Sequence, residues 1–240
     1  MRRGLLIPTV FTAVSLVILL ALGGWQWARK GEKEALLATI RARISDAPQP
    51  FLPVARWGEI AVADAAYRPV SLAGSFDHAR ELHVFFALAK PVNGIGGPGY
   101  LIITPFMLDG GGTVLVNRGF VPVDRKAPQS RQAGQISGQL TITGLMRAPE
   151  TRTMFSGADD PVKNVYFVRD PARLAAQGGL GTVAPVMVDL MTPVPQGGLP
   201  LPAQTQIDIP NNHFSYALTW WSLAASLAVI FLIYARARRD

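Results

Sequence analysis

Two stretches of this chain carry no charged residue: Leu5 to Trp25 near one end and Phe214 to Tyr234 near the other. Each is about 21 residues, roughly 31 Å as a helix, which matches a hydrocarbon core of about 30 Å. Lipid offers the backbone no hydrogen bonds, so a helix is the form open to each run. Arg2 and Arg3 precede the first run, and Arg236, Arg238 and Arg239 follow the second. Arginine at both outer ends places both termini in the cytoplasm and sends the intervening segment across the bilayer. Ala21-Leu22-Gly23 has the small residues of a signal-peptidase site, but the run exceeds the about 7–15 apolar residues of a signal peptide core. A retained first helix is therefore expected. The resulting organisation is a cytoplasmic N-terminus over 1–4, transmembrane helices over 5–25 and 214–234, a domain on the far side over 26–213, and a cytoplasmic C-terminus over 235–240.

The formal charge is +7, a value that invites comparison with nucleic-acid binders. Its distribution argues against one. Outside the two runs lie five terminal arginines and Asp240; the 18 basic and 15 acidic residues between them form no basic run able to follow a phosphate backbone. The chain has no cysteine, which excludes disulfides, thiolate metal sites, iron–sulfur clusters and a cysteine nucleophile.

Residues 29–44 set Leu36, Leu37 and Ile40 among charges, an amphipathic helical extension ending near Ser45. Pro48, Pro50 and Pro53 then break regular structure. Beyond them, β-branched and aromatic runs bounded by Gly, Pro and Asp predict strands over 67–74, 81–88, 99–108, 113–118, 139–146, 164–168 and 183–190. Asp109-Gly110-Gly111-Gly112 is a hairpin signal, and Asp170-Pro171 opens a short capped helix closed by Gly178-Gly179. The expected fold class is an α+β membrane protein in which two transmembrane helices flank one antiparallel, β-rich domain.

Motif chemistry is sparse. Gly94-Ile95-Gly96-Gly97-Pro98-Gly99 fits a dinucleotide fingerprint, but Pro98 and a following strand pattern remove the helix that such a site needs, leaving a flexible loop. His78 and His83 read as surface or turn histidines, and Asp159-Asp160 as a solvated turn. No nucleophile elbow or metalloprotease motif is present, and the sequence offers no positive sign of an enzyme. At the mouth of the second helix, Asn211-Asn212-His213-Phe214-Ser215-Tyr216 stands apart. His213, Tyr216 and Trp220 fall at i, i+3 and i+7, on one helical face, and Trp25 and Trp27 end the first helix at the same membrane depth. One reading is an aromatic belt with Asn as N-cap and His at the interface. The other is a haem site, with an imidazole ligand and flanking rings over the macrocycle.

Several blocks resemble one family. Gly24-Trp25-Gln26 with Arg29 and Lys33, Gly74-Ser75-Phe76, Gly99-Tyr100 with Thr104-Pro105-Phe106, and Val114 to Pro122 occur in the order found in the Surfeit-locus family of cytochrome c oxidase assembly factors. Gly144-Leu145-Met146-Arg147, Arg169-Asp170-Pro171 and Asn211 to Trp220 complete the match, with detail most similar to bacterial members. Trp27, Glu32 and Tyr166 depart from the residues common there.

The resemblance implies an integral protein of the bacterial inner membrane with a periplasmic domain and no catalytic activity of its own. It implies haem a as cargo, passed from haem a synthase to the largest oxidase subunit, with His213 as axial ligand to the iron. Tyr216, Trp220 and Trp25 are the further candidates around it. A scaffold that stabilises the nascent subunit without handling haem is the alternative. The Asn117-Arg118-Gly119 block is expected to end a strand.

Overall fold

The first uncharged run and the charged stretch after it form one continuous helix, α1 (Arg3–Ile44), so the amphipathic extension is an uninterrupted part of it. Its polar half carries the ion pairs Arg29–Glu32 at 2.6 Å and Lys30–Glu34 at 2.8 Å, spaced to meet on a helix surface. The structure, a computed structural model, describes residues 3–202 and 211–238. The chain divides into two compact units, Met1–Arg41 with Ile207–Asp240, and Ala42–Gln206.

In the second unit the prolines leave a two-residue strand, β1 (Gln49–Pro50), then a 3₁₀ turn over Val54–Glu59 and the one-turn helix α2 (Val62–Ala65). Strand β2 (Pro69–Phe76) follows, then the hairpin of β3 (Leu82–Val92) and β4 (Ile95–Leu108). The glycine-rich segment expected as a loop is largely strand: Ile95 to Pro98 pair with β3, and the turn is Asn93-Gly94, both at positive φ. No helix follows it, as expected. Asp109 to Gly112 turn the chain into β5 (Thr113–Pro122), with the Leu108 amide donating to the Gly112 carbonyl at 3.0 Å. After β6 (Leu140–Arg147), Asp170 caps α3 (Pro171–Gln177), accepting from the Ala172 and Arg173 amides, and β7 (Val183–Thr192) ends the sheet.

The strand order is β1-β2-β6-β7-β5-β4-β3, and the end of β4 also pairs with β2. Strands β2, β6, β7, β5 and β4 therefore close into a ring, with β1 and β3 added to its outside. The expectation of an antiparallel domain is corrected here: the sheet is mixed, because β1 runs parallel to β2 and β5 parallel to β7. Strand β5 is buried from Val114 to Val121, on both faces, the environment in which parallel pairing is found. Its alternate residues serve two cores. Val114 and Val116 join Leu72, Phe106, Ile142, Val188 and Leu190 inside the ring, while Leu115 packs outward with Leu101, Ile103, Tyr166, Leu174 and Met187. Residues 164–168, expected as a strand, join the sheet only through the single bridge Val84–Tyr166.

Asn117, Arg118 and Gly119 do not end β5. They form a bulge, since Leu101 pairs with Phe120 and Ile103 with Asn117, which gives β5 one residue more than β4. Gly119 has φ +124°, and a β carbon there would collide with the Leu201 carbonyl, so only glycine fits. Asn117 ties the bulge down, accepting from the Gly119 amide at 3.1 Å and donating to buried Asp189 on β7 at 2.8 Å.

Of the histidines expected at the surface or in turns, His78 lies half-buried in a 3₁₀ turn, His78–Arg80, while His83 is an interior residue of β3. Burial and Arg118 push the His78 pKa down against the bond to the Ile136 carbonyl. Its Nδ1 faces Arg118 Nη1 at 3.0 Å and its Nε2 lies 2.7 Å from that carbonyl. A guanidinium only donates, so Nδ1 accepts and Nε2–H donates. Arg118 itself is fully buried, and burial draws its pKa down to about 10. His83 and Glu81 are also buried, 2.9 Å apart, and Glu81 takes both ends of the Arg131 guanidinium. Asp159 is likewise no solvated turn residue. It accepts from Arg173 at 2.7 Å, Arg152 at 3.1 Å and the Phe167 amide at 3.0 Å. Burial opposes its ionisation, but these bonds together hold it at about 2.

The second uncharged run forms α4 (His213–Ala237). Asn212 stands at its N-cap without a capping bond from its side chain. Both α1 and α4 contain segments long and apolar enough to cross a membrane. Ile7, Phe11, Val17, Ile230 and Ile233 are exposed, so these are not core helices of a water-soluble fold, and their apolar faces suit lipid. Arg2, Arg239 and Asp240, which contribute to the flanking charge, lie outside the described residues.

Candidate functional site

Within the helical unit, α1 and α4 meet at a seam where the Trp221 side chain of α4 lies against Gly23 of α1. Thr12, Ala217 and Ala224 are buried there, and the Trp221 indole fills the space that a β carbon on Gly23 would need. Lipid does not drive apolar helices together, so side-chain packing and interhelical hydrogen bonds hold such a pair. Trp27 closes one flank, with ring centroids 5.8 Å from Trp221 and 6.1 Å from Phe214, and Lys30 lies 5.2 Å from the Trp27 ring.

Among the described residues, the seam carries one polar contact between the helices at this level: His213 Nδ1 lies 2.7 Å from Gln26 Oε1. An amide oxygen accepts, so with this orientation Nδ1 holds the proton and Nε2 presents a lone pair. Among the described residues, Nε2 has no hydrogen-bond partner. Residues advance about 100° around a helix, so Trp25 points away from the flank of α1 that Trp27 occupies. On α4, by the same rotation, Tyr216 and Trp220 lie on the side of His213 opposite Phe214 and Trp221. Trp25 and Tyr216 are 54% and 56% exposed, and among the described residues none of Trp25, Tyr216 and Trp220 stacks on another ring.

Of the four residues singled out in the sequence, His213, Tyr216 and Trp220 share one side of α4, whereas Trp25 lies about 160° around α1 from Gly23, which faces Trp221, and so is turned away from α4. Their neighbours Gln26, Trp27, Phe214 and Trp221 were not singled out, although they build the closed flank and hold the imidazole. The Gly-Trp-Gln block was the available signal for Gln26, but only the packing reveals its partner. Among the described residues, no three His, Asp or Glu side chains gather to cage a bare metal ion. A lone imidazole with its second nitrogen tied suits a metal that arrives with its own equatorial ligands, and unstacked rings beside it suit a flat macrocycle. The donor set therefore fits a haem.

The model of the SURF1 family matches residues 13–225. The SURF1-like protein of Monosiga brevicollis is 34% identical over 231 residues, covering 92% of this chain and 84% of that protein. Surfeit locus protein 1 of Xenopus tropicalis is 32% identical over 222 residues, covering 88% and 70% of the two chains. Surfeit locus protein 1 of Homo sapiens is 34% identical over 223 residues, covering 88% and 71%. A match that starts within α1, spans the whole sheet domain and ends within α4 makes this chain a member of the SURF1 family, the Surfeit-locus family of oxidase assembly factors that its motifs resemble.

Proposed function

We propose that the protein is a membrane-bound assembly factor for a haem-copper terminal oxidase, cytochrome c oxidase, and that it carries haem a to the largest oxidase subunit. The observation that supports this most is the His213 imidazole, anchored at Nδ1 by Gln26, with Tyr216 and Trp220 on its own side of α4. In this reading His213 would ligate the iron, and Tyr216 and Trp220 would flank the haem. Haem a is cargo, the redox centre of the finished oxidase. A single protein ligand on an open flank suits a carrier, because release then requires breaking one metal–nitrogen bond.

Haem a synthase is the donor and the largest oxidase subunit the receiver. The membrane is the bacterial inner membrane, with both termini cytoplasmic and the sheet domain periplasmic. The arginines outside each helix support that orientation. A strain carrying His213→Ala in place of the natural gene tests the role. Oxidase purified from it is expected to contain less haem a per largest subunit than wild type. Normal haem content with less assembled subunit would instead support a scaffold that handles no haem.

A further inference from the structure

The geometry points to Gln26 as the residue that sets which nitrogen of His213 faces the ligand. The inference rests on the proposed haem site and adds the device that prepares it. The neutral histidine side chain, free in water, favours the proton on Nε2, the nitrogen that His213 turns away from Gln26. In the structure, Gln26 Oε1 sits 2.7 Å from Nδ1. An acceptor there draws the proton to Nδ1 and leaves the lone pair on Nε2, with no proton to displace when a metal binds. The contact joins two different helices at their packed seam, so it also fixes the rotation of the ring. Gly23, about one turn away on α1, leaves room for the Trp221 indole of α4 beside this contact. Gln26 touches no cargo in this arrangement. It is a positioning residue.

Nitrogen-15 NMR of labelled histidine in the haem-free, full-length protein in detergent reads the tautomer without any haem. Wild type is expected to hold neutral His213 in the Nδ1–H form. Gln26→Leu is expected to revert to the Nε2–H form and to bind haem a roughly 10- to 100-fold more weakly. Gln26→Glu keeps an acceptor, and is expected to retain both the Nδ1–H form and the binding while lowering the reduction potential of the bound haem. That combination separates positioning from simple packing, because leucine and glutamate fill similar volumes. A wild-type protein in the Nε2–H form, or a Gln26→Leu variant matching wild type in tautomer and affinity, overturns the proposal. The haem reading fails on a different result: a wild-type His213 in the Nδ1–H form that takes up no haem a refutes the carrier role, and ligand positioning falls with it.

Discussion

Gly23 of α1 lies directly beneath the indole of Trp221 on α4, at a distance that leaves no room for a β carbon. Gly24, its neighbour in sequence, has open space where a side chain would stand. The pair predicts a sharp contrast between two adjacent glycines. Gly23→Leu is expected to destabilise the helix pair by about 1–3 kcal/mol through overpacking, and Gly24→Leu to leave it within a few tenths. Thermal unfolding in detergent, followed by tryptophan fluorescence, measures both. Equal melting temperatures for the two variants would contradict the packing described.

Asn117 joins the β5 bulge to β7 through Asp189. Replacing it with alanine removes a donor from a buried carboxylate and an acceptor from the Gly119 amide, at a cost of about 1–3 kcal/mol. Asn117→Asp places a second carboxylate against Asp189 and is expected to cost more at neutral pH than Asn117→Ala, with the deficit narrowing on acidification. Near-ultraviolet circular dichroism of the full-length variants against pH gives the comparison.

The buried pair Glu81–Arg131 sets up a double-mutant test. Glu81→Gln leaves the Arg131 guanidinium buried without its counter-ion and is expected to destabilise by about 3–5 kcal/mol. Removing both charges together, as Glu81→Leu with Arg131→Met, is expected to cost less than either single change. Additive losses in denaturant unfolding would mean that the two groups do not depend on one another.

Asp159 makes the order of residues 151–163 depend on acid. Its folded pKa of about 2 lies below the ordinary 3.8, so its contribution is complete above the ordinary value and is lost as pH falls through about 2. Because this loop borders water, the contribution is about 1–2 kcal/mol. Wild-type protection against hydrogen exchange in 151–163 is expected to fall between about pH 4 and 2. Asp159→Asn should be less protected at neutral pH and flat across that window. A wild-type profile that is flat there would remove Asp159 as the organiser of the loop.

The two long apolar helices were legible because length and the absence of charge are local properties of sequence. The strands were legible for the same reason, through β-branched and aromatic runs. Their order was not, because the parallel contact of β5 with β7 joins Asn117 to Asp189 across the fold. Residues 164–168 have the composition of a strand and lie at the outer edge of β3, yet only Tyr166 pairs with it. Local pattern cannot reveal that. His83 looked like a surface residue because its burial depends on Glu81 and on the distant Arg131. In the candidate site, helical spacing alone grouped His213, Tyr216 and Trp220. Which flank Trp27 closes, and that Gln26 reaches His213, depend on the phase of one helix against the other, which neither run carries by itself.

Titration of haem a into the detergent-purified, haem-free protein tests the proposed site most directly. Wild type is expected to show a saturable absorption band of histidine-ligated haem a, and His213→Ala to lose that band while keeping the circular dichroism of the folded chain. An identical titration in the two proteins would contradict the site.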